Sequence, residues 1–297
     1  MRYLLSAVAS IAFLASTPAA AEEVIGLVGS TRIVTFDSGS PGTITSDRAI
    51  TGLGSDVTLT GIDLRPADNQ LYSVSTTGTV YRLTLSGSSY TATSLGTFSP
   101  SPSGNSFGLD FNPTVDRLRM VSDTNQNLRI NQTTSPPGVI VDGPITLNGS
   151  SDVDLIGAAY TNSFAGATTT TLYGIDAFTD ALVRSTNANL GTYTNTNLAG
   201  ALFGPLGVSI GSNDLLGFDI SGVSGASVFS VNNNFYGVDL TTGSATLIGA
   251  LGAQGVTGIT FGAAVPEPGT WAMMLMGFGA IGVAMRRRRK VIGAVTA

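Results

Sequence analysis

Five copies of one short element, spread at near-constant intervals, restrict the fold of this 297-residue chain more than any other feature. Each copy sets a glycine among apolar residues with a small or acidic residue two positions on. The copies are Thr60-Gly61-Ile62-Asp63-Leu64, Phe107-Gly108-Leu109-Asp110-Phe111, Ile156-Gly157-Ala158-Ala159-Tyr160, Leu206-Gly207-Val208-Ser209-Ile210 and Thr257-Gly258-Ile259-Thr260-Phe261. Successive glycines are 47, 49, 50 and 51 residues apart. Repetition at that length marks an array of supersecondary units that bury their apolar faces against one another. Within the first unit, Leu71-Tyr72-Ser73-Val74, Val80 to Leu85 and Thr91 to Leu95 are short β-branched and aromatic runs. They are separated by the turn formers Pro66 to Asn69 and Thr77-Gly78, which predicts antiparallel strands. The second unit repeats the plan, with Leu118-Arg119-Met120-Val121 lying 47 residues after Leu71 to Val74. The third offers Leu172 to Ile175, and the fourth Val228 to Val231 followed by Phe235 to Asp239. No part of the body shows a sustained helical period.

The two ends of the array complement each other. The fifth copy is one strand long, whereas the region from Val24 to Thr45 supplies three strands with no opening one. One strand plus three completes a unit, and joining the ends removes the exposed edges that an open sheet must otherwise protect. The expected fold is therefore all-β: a five-bladed β-propeller over residues 22–265, closed by N-terminal strands joining the last C-terminal strand. A β-sandwich or an open β-solenoid is the alternative. The expected core comprises the apolar positions around each glycine together with Leu71, Val74, Val121, Ile175 and Val238. The glycines let the innermost strands crowd together. Asp176 to Asp180 and Asp239 to Gly243 read as hairpin turns.

Outside this body lie two addresses. Arg2, an apolar run from Tyr3 to Leu14 and Ala19-x-Ala21 before Glu22 form a secretory signal peptide, residues 1–21, cleaved after Ala21. At the other end, Pro266-Glu267-Pro268 precedes Trp271 to Met285, a stretch of 15 uncharged residues, and then Arg286, Arg287, Arg288, Arg289 and Lys290. As a helix the apolar stretch reaches about 22 Å, against a hydrocarbon core of roughly 30 Å. The cations extend it by snorkelling and hold that end in the cytoplasm, with Trp271 at the outer interface and residues 291–297 as a cytoplasmic tail. Residues 266–290 closely resemble the PEP-CTERM sorting signal of Gram-negative bacteria that make exopolysaccharide. The resemblance implies export through the Sec machinery, transient anchoring in the inner membrane and recognition by an exosortase, a membrane transpeptidase that removes the tail near the Pro-Glu-Pro. The destination it implies is the cell surface or the extracellular matrix.

Composition narrows the chemistry. Between Glu22 and Val265 there are eight arginines, no lysine and eighteen acids, a net charge of −10. That balance lacks the clustered cations that nucleic-acid binding needs. The chain has no histidine and no cysteine. Serine–histidine and cysteine–histidine nucleophiles, disulfides, and nearly all zinc and haem sites are thereby excluded. A Schiff-base lysine is excluded from the body as well.

Several strings in the body, Gly108-Leu109-Asp110-Phe111-Asn112-Pro113, Asp116-Arg117-Leu118-Arg119, Asn127-Leu128-Arg129 and Ala158-Ala159-Tyr160-Thr161-Asn162, resemble a bacterial family known as domain of unknown function 4394. That family carries no established activity. The candidate site residues are Asp63 and Asp110, at equivalent places on innermost strands, and the cluster Arg117, Arg119 and Arg129. The two aspartates can serve as Ca²⁺ ligands, as an acid–base pair for glycoside cleavage, or as structural acceptors of backbone N–H groups. The arginines can present forks to an acidic polysaccharide, or pair with Asp110, Asp116 and Asp123. Asp152 and Asp154 have the spacing of calcium ligands but lack the rest of an EF-hand loop. The leading expectation is an exported, non-catalytic surface or matrix protein, structural or exopolysaccharide-binding, that needs no cofactor. An Asp-dependent carbohydrate-active enzyme and a Ca²⁺-stabilised adhesin are the alternatives.

Overall fold

The structure is a computed structural model in which residues 21–54 and 58–263 are described. The signal peptide up to Ala20, the Pro-Glu-Pro, the expected membrane helix and the basic cluster lie outside the described residues. Among the described residues no helix is long and apolar enough to cross a membrane. The fold is all-β, as expected, with one short 3-10 turn at Ala188–Leu190.

The strands form consecutive meanders. The first contains β1 (Glu23–Val28), β2 (Arg32–Asp37) and β3 (Ser40–Thr51). The second contains β4 (Leu59–Arg65), β5 (Gln70–Ser75), β6 (Thr79–Ser86) and β7 (Ser89–Thr97). The third is β8 (Phe107–Asn112), β9 (Arg117–Ser122), β10 (Asn127–Asn131) and β11 (Gly138–Val141). The fourth has β12 (Thr146–Leu147), β13 (Leu155–Tyr160), β14 (Leu172–Asp176), β15 (Ala181–Asn187) and β16 (Thr192–Thr194). The fifth has β17 (Leu216–Ile220), β18 (Ser227–Val231), β19 (Asn234–Val238) and β20 (Ala245–Ala250), after which β21 (Val256–Phe261) returns to β1. There Ile25 pairs with Thr260 and Gly26 with Ile259, antiparallel. The ends of the body thus share one sheet, and β21-β1-β2-β3 is a four-stranded group. A two-residue parallel contact, Ile50 with Tyr90 and Thr51 with Thr91, fuses this group to the second meander.

Burial explains why each group orders its strands as it does. The opening strands β4, β8, β13, β17 and β21 are buried along nearly their whole length, whereas β7, β11 and β20 are largely exposed. Apolar side chains gather in five clusters, each shared by two consecutive groups. Leu27 and Ile33 meet Ile62 and Leu83, and Tyr72 and Val74 meet Phe111 and Met120. Val121 meets Leu155 and Tyr160. Ile175 packs with Phe218 and Phe229, and Phe235 with Phe36 and Phe261. The last cluster brings the fifth group back to the first. All five expected core residues, Leu71, Val74, Val121, Ile175 and Val238, are buried.

Two glycines show how closely the opening strands approach. A Cβ on Gly108 would stand 2.6 Å from the backbone nitrogen of Ala158, and one on Gly217 would stand 2.4 Å from that of Ile259. Only a residue without a side chain fits against a neighbouring backbone at that distance. The turns Asp176 to Asp180 and Asp239 to Gly243 form as expected, with the Asp239 carboxylate accepting from Thr241 and the Gly243 amide donating to the Asp239 carbonyl.

One expected strand is absent. Residues 206–210 form no strand, and the fourth opening strand is β17, with Gly217 and Asp219 in the places assigned to Gly207 and Ser209. Pro205 and the positive φ of Gly207, 82°, break the extended chain. The segment is instead a loop fastened to the hairpin between β14 and β15. Its Leu206 and Ile210 amides donate to the carbonyl and carboxylate of Asp180, and both side chains are buried.

Candidate functional site

Each opening strand lies at the end of its hydrogen-bonded ladder, so its outer edge faces the next group with unpaired backbone amides. Buried amides need acceptors, and the residue two positions after each glycine supplies them. Asp63 Oδ2 accepts from the Phe111 amide at 2.6 Å, Asp110 Oδ2 from Tyr160 at 3.1 Å, and Asp219 Oδ2 from Phe261 at 2.6 Å. Thr260 Oγ1 accepts from Leu64 at 3.3 Å and donates to Asp63 Oδ1 at 2.9 Å. At the fifth place Ala159 has nothing to offer, and the Ile220 amide turns to Asp219 Oδ1 at 2.6 Å. One side-chain position thus ties four of the five groups to the next.

The same arrangement concentrates negative charge. Asp63, Asp110 and Asp219 are buried, and each offers a carboxylate oxygen within 4.8 Å of those of the other two. No arginine among the described residues is hydrogen-bonded to any of them. Burial raises the Asp63 carboxyl well above its ordinary range, and the Asp219 charge raises it further. Asp110 is raised by burial and then by Asp63 and Asp219. Asp219 is pushed up to about 6 by burial, against the pull of the Phe261 and Ile220 amides. Like charges held in a dry site favour a proton or a cation. Asp110 Oδ1 is the oxygen left without a hydrogen-bond partner.

Arg119, the other candidate facing the interior, is 2% exposed. Its Nε donates to Tyr160 Oη at 2.9 Å, and its terminal nitrogens reach Asn127 Oδ1, Asp142 Oδ2, the Ala188 carbonyl and Asn189 Oδ1. Arg129 completes the cluster with a 2.9 Å bond to Asp142 Oδ1. The expected partners of the arginine cluster therefore need correction. Asp110 serves the Tyr160 amide, Asp123 serves the Asn105 amide, and Asp116 forms a bidentate pair with Arg65 from the preceding group. Arg117 turns its Nη1 to the Val115 and Asp116 carbonyls. The three arginines do not form a joint surface fork. Asp154 donates its amide to Asp176, and neither it nor Asp152 joins the metal-competent group.

Asp219 joins Asp63 and Asp110 without having been a candidate from the sequence. Its string, Leu216-Gly217-Phe218-Asp219-Ile220, matches the acidic copies better than Leu206-Gly207-Val208-Ser209-Ile210 does. Even spacing favoured the wrong one. A second feature without a sequence cue is a surface hollow of about 470 Å³ lined by Asn213, Asp214, Leu215, Asn232, Asn233 and Gln254, among others. Asn232 Nδ2 donates to Asp214 Oδ2 there, and Asn233 Oδ1 has no partner.

An all-β body whose ends share a sheet, followed by an address at its C-terminus, defines an exported and sorted protein. The PEP-CTERM protein-sorting motif matches residues 264–289 and marks it as a substrate of exosortase processing. The body belongs to the family described as Domain of unknown function (DUF4394), whose model matches residues 32–260. No curated protein matches the chain. Among solved structures, it is similar to a protein described under "the de novo evolutionary emergence of a symmetrical protein", at 15% identity and a TM-score of 0.43, covering 80% of this chain and 93% of that one. It is also similar to a structural-genomics protein of unknown function from Bacteroides thetaiotaomicron, at 16% identity and a TM-score of 0.43, covering 79% of this chain and 59% of that one.

Proposed function

We propose that the mature chain is a non-catalytic, five-bladed β-propeller displayed at the cell surface or in the extracellular matrix, where it binds exopolysaccharide. Export through Sec and brief retention in the inner membrane until exosortase cuts near Pro266 bring it there. The propeller reading is supported by five groups that share five apolar clusters in a cycle, and by the β1–β21 ladder. The observation that carries the non-catalytic reading is how the carboxylates are used. A glycosidase needs two carboxyl groups that reach the sugar, but Asp63 and Asp110 are 3% and 1% exposed and accept from backbone amides. The amide-lined hollow beside Leu215 offers donors, acceptors and an apolar wall suited to a neutral sugar.

The mature protein recovered from the cell surface is tested for retention on, and hydrolysis of, its host's own exopolysaccharide. Retention that drops several-fold in Asn232→Ala and Gln254→Ala, with no sugar released, is the expected result. Release of reducing ends that disappears in Asp63→Asn overturns the reading in favour of an enzyme. Mass spectrometry of the same material is expected to place the C-terminus near Pro266.

A further inference from the structure

Three carboxylates from three different groups converge where the opening strands meet, and hydrogen bonding leaves one of their oxygens free. Asp63 uses Oδ1 for Leu64 and Thr260 and Oδ2 for Phe111, while Asp219 uses both oxygens for Ile220 and Phe261. Asp110 uses Oδ2 alone, so its Oδ1, on a residue 1% exposed, is the atom with binding capacity to spare. Three points no more than 4.8 Å apart share a centre at most about 2.8 Å from each. Calcium binds oxygen at roughly 2.3–2.6 Å, so a contraction of a few tenths of an ångström brings all three into its first shell.

We propose that Asp63, Asp110 and Asp219 hold one hard divalent cation, calcium in the first instance, at the junction of their three strands. The donor set is all oxygen and carries up to three negative charges, which excludes soft metals and matches calcium. Each carboxylate is steered by an amide of the following group, Phe111, Tyr160 or Phe261, as outer-shell bonds orient metal ligands. The charged and titratable groups around the cluster give no competing cation. Glu22 adds negative charge near Asp219, Tyr160 lies beside Asp110, and Thr260 from β21 is neutral. The one buried guanidinium among the described residues, that of Arg119, is engaged by Asp142, Asn127, Asn189 and the Tyr160 hydroxyl. A cation here joins the groups that open with β4, β8 and β17, so it acts as a fastener of the closed body.

The mature full-length protein is dialysed against chelator, analysed for metal by elemental mass spectrometry, and melted with and without 1 mM calcium chloride at pH 7.5. The expected result is one calcium per chain, or its uptake on addition, with a melting temperature raised by about 5 °C or more. Asp110→Asn and Asp219→Asn are expected to remove at least half of that rise, and magnesium to give a smaller one. Absence of bound metal together with a melting temperature unmoved by calcium or magnesium overturns the proposal and leaves protons to neutralise the cluster. The wild-type measurement decides this even where a variant fails to fold. Sugar retention is scored separately, so loss of polysaccharide binding with an intact calcium effect leaves the cation site standing.

Discussion

Two buried charged clusters lie on opposite sides of Tyr160, and they are built on opposite principles. Its hydroxyl takes a hydrogen bond from Arg119, in a cluster where Asp142 supplies the opposite charge to both Arg119 and Arg129, and Asn127, Asn189 and the Ala188 carbonyl accept from the remaining Arg119 donors. Its amide donates to Asp110, in a cluster of three carboxylates with no positive partner among the described residues. The first pairs its charges internally, and Arg129 Nε is its one buried arginine donor without a partner. Burial works against the Arg119 charge, yet Tyr160, Tyr193 and Asp142 more than offset this and hold its proton more firmly than usual. In the second, every carboxyl is raised. A charge-paired cluster acts as a fixed staple, whereas a like-charged one depends on what the solution supplies.

The largest expected effect breaks the staple. Arg119→Met keeps most of the volume while removing the charge and every side-chain donor that Arg119 extends to Asn127, Asp142, Tyr160 and the Ala188–Leu190 turn. Removing one partner of a buried pair costs about 3–5 kcal/mol. Denaturant unfolding of the mature protein is expected to show a loss in that range. A loss below about 1 kcal/mol would mean that Asp142 and the two asparagines find water as readily as they found the guanidinium, and the contrast between the clusters would disappear.

How much of this could be read beforehand differs between the two clusters. The repeat made Asp63 and Asp110 equivalent, and the missing first strand joined Ile25 to Ile259's sheet. Both are properties of period, which local sequence carries well. The repeat misled where the chain inserts a long connection between β16 and β17. Gly157 and Gly217 are 60 residues apart and Gly217 and Gly258 only 41, so regular spacing selected Gly207 and hid Asp219. The partners of Arg119 were illegible for another reason. All but the first residue of β9 are buried, so alternation does not mark which face a residue occupies. Asp142 and Asn189 come from connections 23 and 70 residues away. Such contacts depend on tertiary packing rather than on any motif.

The second effect is the pH dependence of the carboxylate cluster. Asp219 titrates at about 6 in the folded protein against an ordinary 3.8, so the folded state binds this proton more tightly than the unfolded chain. The cluster's contribution to stability is therefore full below about pH 4, falls as pH rises towards 6, and falls further as Asp63 and Asp110 ionise. At about 1.36 kcal/mol per unit, Asp219 alone accounts for a change on the order of 2–3 kcal/mol. In chelator, the melting temperature is expected to be higher at pH 5 than at pH 8, and Asp219→Asn is expected to flatten the difference. The Arg65–Asp116 pair acts in the opposite sense, since its hydrogen bonds to Arg65 lower the Asp116 carboxyl. Its stability is lost only as pH falls below about 4, so the two trends occupy different windows. A pH profile that is flat above 5 in chelator would remove the carboxylate cluster from the account.

The smallest effect tests whether the staple needs both of its arginines. Arg129 meets the same carboxylate as Arg119, at 2.9 Å against 3.0 Å, but its side chain is 25% exposed where that of Arg119 is 2%. Near-equal distances at unequal burial separate geometry from dielectric. Water screens the outer pair, and such pairs are worth about 0–1 kcal/mol, whereas the inner one has no solvent to replace its partner. Arg129→Ala is accordingly expected to cost less than about 1 kcal/mol and to lose part of that in high salt. A double-mutant cycle with Asp142→Asn should give a coupling several-fold smaller for Arg129 than for Arg119. Equal couplings would show that Asp142 divides its charge evenly, and that burial of Arg119 serves packing rather than the ion pair.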